Sequence, residues 1–186
     1  MRILMTSSEA VPFSKSGGLA DVSSSLPIAL SNLGHEVRLI LPNYGLTDDS
    51  KFTSIPVNFT VSIAGKDEKV EIVKGLMNNV IVYLINHPYF TKRKGIYGDT
   101  SFSPYHDNLL RFTLMSKAVL QLCTEIEWIP EILHCHDWTT GLIPYMVKKN
   151  PAFSSTKTVF TIHNLAYQGE FPRLDMLLTE QFALLN

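Results

Sequence analysis

The chain has 186 residues, enough for one domain with its own core, and 45% hydrophobic with 18% charged residues is the composition of a globular protein rather than a disordered one. A formal net charge of −1 gives no electrostatic reason to expect a nucleic acid or a membrane surface as partner. No apolar run reaches the roughly 18 residues of a membrane span, and Cys123 and Cys135 read as reduced and buried rather than as a disulfide framework.

The first six residues open as a strand, with Ile3, Leu4 and Met5 reading as its buried parallel centre. No charged segment followed by a long apolar stretch precedes it, so no leader peptide is expected and the cytoplasm is the expected address. Residues 19–33 follow as a helix, closed by Gly34 and kinked by the internal Pro27. Residues 37–41 form the second strand of a βαβ unit. Residues 57–63, 70–74 and 80–85 then read as an antiparallel insertion that ends in a returning core strand, with turns at Gly65-Lys66-Asp67 and Asn78-Asn79.

A polar, glycine-bearing loop over 87–104 contains Tyr97 and the solvated charge run Lys92-Arg93-Lys94. An amphipathic helix is predicted over 105–124, a strand over 131–135, a helix over 138–149 with Pro144 inside, and a β-branched strand over 156–162. Residues 174–186 carry a helical pattern that stops without a cap glycine or polar tail, as expected of a piece of a longer protein. Strands alternating with helices at this spacing predict an α/β fold: a Rossmann-like, doubly wound, mostly parallel sheet with an antiparallel insertion.

In such a sheet, ligands bind outside the carboxyl ends of the strands. Polar clusters stand at three predicted strand ends, residues 7–18, 134–138 and 163–169, and the Tyr97 loop follows a fourth. The first cluster is the most specific. A strand, a loop with Lys15 and the adjacent Gly17 and Gly18, then a helix builds an anion cradle: unpaired N–H groups of a first helical turn, no Cβ to hold a ligand off, and a lysine charge beside them. A phosphate, most simply that of a nucleotide, is the expected guest. The loop is neither a Walker A motif nor Gly-x-Gly-x-x-Gly, and the second strand ends without an acidic residue for a ribose, which argues against a dehydrogenase-type domain.

The sequence Lys15-Ser16-Gly17-Gly18-Leu19-Ala20-Asp21-Val22 resembles the Lys-x-Gly-Gly-Leu signature of bacterial glycogen synthases and plant starch synthases, the ADP-glucose-using glycosyltransferases of family 5. The likeness continues in order through Glu9, Gly34-His35-Glu36-Val37, Leu41-Pro42-Asn43-Tyr44-Gly45, Tyr97-Gly98-Asp99, His136-Asp137-Trp138, and His163-Asn164-Leu165-Ala166-Tyr167-Gln168-Gly169. Ser16 stands where threonine is usual. The resemblance implies one half of a GT-B fold, the N-terminal, acceptor-side domain over residues 1–186, with the C-terminal donor-nucleotide domain outside this chain. It implies ADP-glucose and an α-1,4-glucan as substrates, retention at the anomeric carbon, and no cofactor or metal. A non-catalytic glucan-binding module lacking the donor domain is the alternative.

Each candidate residue has a structural reading beside the functional one. Lys15, Gly17 and Gly18 neutralise the leaving diphosphate, or form a tight turn. Glu9 lines the sugar site or holds Lys15 by charge. Asp137 caps the helix that follows it, offers a carboxylate to a sugar hydroxyl, or does both. Trp138 is core or a platform for a sugar ring. Tyr97 is a surface aromatic or a wall of the acceptor groove. His134, His136 and Asp137 have two ligands of a metal site on one strand face, but the sequence places no third nitrogen or sulfur. His163, by the resemblance, lies beside the donor glucose and stabilises positive charge on its ring, with Asn164 among the neighbouring hydrogen-bonding groups.

Overall fold

The structure, a computed structural model, describes residues 1–46, 50–101 and 103–172. The helical pattern expected over 174–186 lies outside those residues. The elements run β1 (Arg2–Thr6), α1 (Gly18–Asn32), β2 (Glu36–Pro42), β3 (Thr53–Ile63), β4 (Lys66–Met77), β5 (Val80–Asn86), α2 (Pro88–Thr91), α3 (Asn108–Glu125), β6 (Ile132–His136), α4 (Ile143–Lys149) and β7 (Lys157–Thr161). Among the described residues the strands form one seven-stranded sheet in the order β3-β4-β5-β2-β1-β6-β7. β5, β2, β1, β6 and β7 are parallel, while β3 and β4 add an antiparallel hairpin on the far side of β5. The doubly wound sheet with an antiparallel insertion is therefore present. No helix among the described residues is long and apolar enough to cross a membrane.

The central strands read as near-continuous apolar runs because they are buried on both faces. Ile3 and Met5 of β1, Val37, Leu39 and Leu41 of β2, and Val82 and Leu84 of β5 share one face with Leu26, Ile28 and Leu30 of α1. Leu4, Ile40, Tyr83, Ile85, Leu133 and Cys135 face the other way, against Phe112, Leu114 and Val119 of α3 and Met146 and Val147 of α4. Successive side chains of a strand point to opposite faces, so each strand feeds both layers.

Three expectations change in detail. Residues 138–149 are not one helix: a 3-10 turn at Trp138–Thr140 precedes α4, and Pro144 sits in the first turn of α4, where its missing N–H has no intrahelical partner to lose. The amphipathic helix over 105–124 is instead buried on nearly every side, because the β3–β4 hairpin closes over it; Phe59, Val61, Ile63 and Ile72 join its core, and Lys117 Nζ donates to the Ser62 carbonyl. The loop over 87–104 begins with the short helix α2, capped by His87, whose Nδ1 accepts from the Tyr89 N–H. As expected, Pro27 lies inside α1, where it is buried. Gly34 closes α1 at φ 86°, a left-handed conformation that suits glycine.

Candidate functional site

β1 lies between β2 and β6, so the chain winds away from it in both directions. That reversal is a topological switch point, and a crevice opens outside the strand ends there. Every sequence-derived site residue among the described ones comes to this edge. β1 delivers Ser7, Ser8 and Glu9, β6 delivers Asp137, β7 leads to His163, and the loop after β5 returns with Tyr97.

Glu9 is the hub. Its side chain belongs to a residue only 2% exposed. Oε2 accepts the backbone N–H groups of Ser16 and, at 3.3 Å, of Gly17; Oε1 accepts the Ser16 hydroxyl at 2.9 Å and the Tyr97 hydroxyl at 2.5 Å. The carboxylate thus ties the glycine loop to the Tyr97 loop. The expectation that Glu9 holds Lys15 by charge is not met: Lys15 Nζ bonds both oxygens of Asp21, at 2.7 and 2.8 Å. The reason is burial, since Glu9 faces inward while Lys15 and Asp21 stand on the surface, with side chains 53% and 58% exposed. At both Gly17 and Gly18, the place a Cβ would take is open space. Among the described residues nothing obstructs the outer side of the cradle, although the N–H groups of both Ser16 and Gly17 are already engaged by Glu9.

Tyr97 is not a free surface aromatic. Its hydroxyl lies 2.7 Å from Ser8 Oγ as well as on Glu9, and its ring packs on Phe112 and Trp138. Burial, and next the Glu9 carboxylate, hold its phenol well above the ordinary tyrosine value, so it stays a proton donor. α3 fixes its backbone: Asn108 Nδ2 donates to the Tyr97 carbonyl at 2.8 Å, and the buried Arg111 donates to the carbonyls of Tyr89 and Ile96 and to Asn108 Oδ1.

Asp137 carries the clearest local signature. Its backbone has φ 58° and ψ 179°, a region nearly reserved for glycine and worth about 1–3 kcal/mol of strain. Such strain persists only where the surroundings over-determine it. Here the Asp137 N–H bonds the Thr161 carbonyl at 2.9 Å, and Oδ1 accepts the His163 N–H at 2.7 Å. The capping role expected for Asp137 is not taken, for its side chain makes no cap bond to the following turn; that carboxylate reaches across to the end of β7 instead.

His163 is held twice, through its backbone by Asp137 and through its ring by His136, whose Nδ1 lies 2.8 Å from His163 Nε2. His134 stacks on His136 with ring centroids 4.2 Å apart, and its Nε2 lies 2.8 Å from Thr161 Oγ1. The predicted common face of His134 and His136 is therefore real, but the partners are Thr161 and a third histidine. No group of three or more His, Cys, Asp or Glu among the described residues is arranged to hold a metal ion. Burial pushes His136 down to about 3, with His134 and His163 adding to the effect, and burial also lowers His134. Both rings stay neutral at ordinary pH.

Trp138 is half-buried, in edge contact with Phe112 at 5.1 Å and near Tyr97 and Phe171. It both packs and borders the edge. Gly169 closes over it at φ 66°, where a Cβ would stand 2.6 Å from the indole ring. Asn164 spends its side-chain oxygen on the Ala166 N–H within its own turn. Sequence reasoning missed Ser8, Asn108, Arg111 and the positioning part of His136. An arginine in an otherwise apolar helix and a histidine two residues from another were the available signals, but neither names a partner.

A family model described as the starch synthase catalytic domain matches residues 2–184. The chain is 38% identical over 178 residues to a glycogen synthase of Treponema denticola, covering 93% of this chain and 36% of that protein. It is 41% identical over 189 residues to a glycogen synthase of Geotalea daltonii, covering 95% and 38%. Among solved structures it resembles the catalytic domain of starch synthase IV from Arabidopsis thaliana bound to ADP and acarbose, with a TM-score of 0.76 and 29% identity over 90% of this chain and 34% of that one. The chain thus spans a little over a third of the length of the curated relatives it matches.

Proposed function

The chain belongs to the family of starch synthase catalytic domains, and on that footing we propose that it is the acceptor-side, Rossmann-like half of a GT-B glycosyltransferase, whose further length carries the donor-nucleotide domain. The full-length protein transfers glucose from ADP-glucose to the non-reducing end of an α-1,4-glucan, with retention, as a glycogen or starch synthase. One observation carries this reading: the Lys15 loop, Tyr97 and the Asp137–His163 pair converge at the β1/β6 switch point, where a sheet of this kind binds ligands. The ADP and acarbose held by the Arabidopsis relative support a nucleotide and a carbohydrate as the two kinds of ligand.

In this reading Lys15 and the Gly18 amide neutralise the departing diphosphate, while the Gly17 amide, turned inward to Glu9, leaves an open approach to them. The exposed Lys15–Asp21 pair is worth little in solvent, so a phosphate with two charges displaces Asp21 from the lysine. Retention through a covalent intermediate needs a carboxylate free to attack the sugar. Glu9 is buried and accepts from four donors, and Asp137 spends Oδ1 on a backbone N–H. These engagements favour a same-face route, in which leaving phosphate and entering hydroxyl share one side and catalysis is charge stabilisation. His163 supports the sugar ring as charge grows on it, and Trp138 and Tyr97 wall the acceptor side.

The test is glucose incorporation into glycogen by the full-length protein, with ADP-glucose and UDP-glucose compared side by side. Transfer from ADP-glucose at the higher kcat/KM is expected. No transfer from either donor would reject the reading, and a clear preference for UDP-glucose would reject its donor.

A further inference from the structure

His136 is fully buried, is neutral, and has no part in the reaction just described, yet it makes the one side-chain bond that the His163 ring has among the described residues. The two rings lie nearly parallel, at 19°, with the bonded nitrogens 2.8 Å apart. Behind His136, His134 stacks at 4.2 Å and is itself tied to Thr161. These side chains form a ladder across β6 and β7, since His134 pairs with Val159 and His136 with Thr161, and His163 follows two residues later on the same face.

A hydrogen bond between two imidazole nitrogens has one proton, and it sits on one nitrogen or the other. His136 Nε2 is buried with no hydrogen-bond partner among the described residues. If His163 donated, His136 would carry its proton on Nε2 as an N–H buried without an acceptor, the rarer and costlier kind of orphan. If His136 donates from Nδ1, only an unshared lone pair is left in the interior.

We propose that His136 is a positioning residue for His163: it donates its Nδ1–H to His163 Nε2, fixing the ring and leaving the exposed His163 with its own proton on Nδ1, as a ready hydrogen-bond donor at the strand edge. Its consequence for turnover rests on the reading of His163 as a residue beside the donor sugar; its geometry does not. A donor of fixed tautomer and orientation needs no reorganisation when charge shifts on a bound sugar or phosphate oxygen, which is how preorganised dipoles stabilise a transition state.

The experiment uses the full-length protein. In protein labelled with 15N histidine, the ring nitrogens of His163, assigned through H163Q, should show the proton on Nδ1 at a pH of about 8, above the ordinary histidine range. A proton on Nε2 overturns the proposal whatever the kinetics. In kinetics, H136F keeps a ring of similar shape without the donor and should lose about 10–100-fold in kcat, the usual scale for an outer partner of an active group, with KM for both substrates little changed. H136N places an amide N–H close to the Nδ1 position and should recover most of that loss, which a merely space-filling role would not show. An H136F enzyme of wild-type kcat, or an H136N enzyme no better than H136F, overturns the proposal. H163Q separates the two readings: wild-type turnover in H163Q rejects the proposed site itself, whereas a slow H163Q beside a normal H136F rejects only this inference.

Discussion

Glu9 and Asp137 show how a carboxylate in a candidate site can serve the backbone first. Glu9 accepts from two backbone amides and two hydroxyls, so E9Q, which keeps one acceptor oxygen, should cost about 1–3 kcal/mol in urea unfolding through donors left unpaired. Because Tyr97 shares that carboxylate, E9Q and Y97F should be non-additive by about 0.5–3 kcal/mol, and strict additivity would refute a shared network. At Asp137 the strained backbone and the useful side chain separate by substitution. D137G should be more stable than D137A by about 1–3 kcal/mol, since glycine removes the strain of φ 58° while both lose the bond to His163. Equal stability of the two would show that the strain is illusory. Lys15 has the opposite character, being exposed and loosely paired. K15Q should leave stability unchanged and lower kcat of the full-length enzyme by about 10²–10³, the scale of a lost electrostatic stabiliser. The loop that places Lys15 and its glycines between β1 and α1 was legible in the sequence because it follows from local order. What Glu9 touches was not, because Tyr97 is 88 residues away along the chain.

At the scale of elements, helices and strands emerge where local pattern and burial agree. The period-two and continuous apolar runs of β1, β2, β5 and β6 needed no partner to be read. α3 was read as amphipathic and proved buried nearly all round, because only the folded hairpin shows what covers its second face. The break between Trp138–Thr140 and α4 falls at Gly141 and Leu142, just before Pro144, so the residues that end one turn and start the next were in the sequence although 138–149 reads there as one helix. β6 supplies a pH prediction. His136, held down to about 3, and His134 and His87, also lowered first by burial, are neutral in the fold but titrate near 6.5 when unfolded. Between those values the unfolded state binds more protons, so their contribution to stability is complete above about 6.5 and is lost as pH falls below it. Unfolding by urea should show stability falling from pH about 6.5 towards 5, by at most about 1.4 kcal/mol per pH unit for one such ring; a flat profile there would contradict buried, neutral histidines.

Across the whole molecule, the sheet has two unlike edges. The β3–β4 side ends in a polar hairpin, but β7 exposes Val159 and Phe160 at 42% each, and Ile162 just beyond it at 57%. Apolar side chains of that size standing together on one sheet edge call for a cover. The isolated 186-residue chain is therefore expected to bind a hydrophobic dye strongly and to self-associate in sedimentation, while the full-length protein does neither; a monodisperse, dye-silent fragment would count against this. It is also expected to show no measurable glucan synthesis, because half of the proposed cleft lies outside it, and robust extension by the pure chain would overturn that. By itself, the sequence determined the fold class, the order of the strands and of the two long helices, and the family, since each depends on neighbours close along the chain or on motifs read in order. Only the tertiary structure decided that Glu9 joins that loop to Tyr97, that Asp137 is strained to hold His163 rather than to cap a helix, and that His136 stands behind His163. Those partners lie between 7 and 88 residues apart along the chain, and which side chains share a buried hydrogen bond is settled only when the parallel strands come into register.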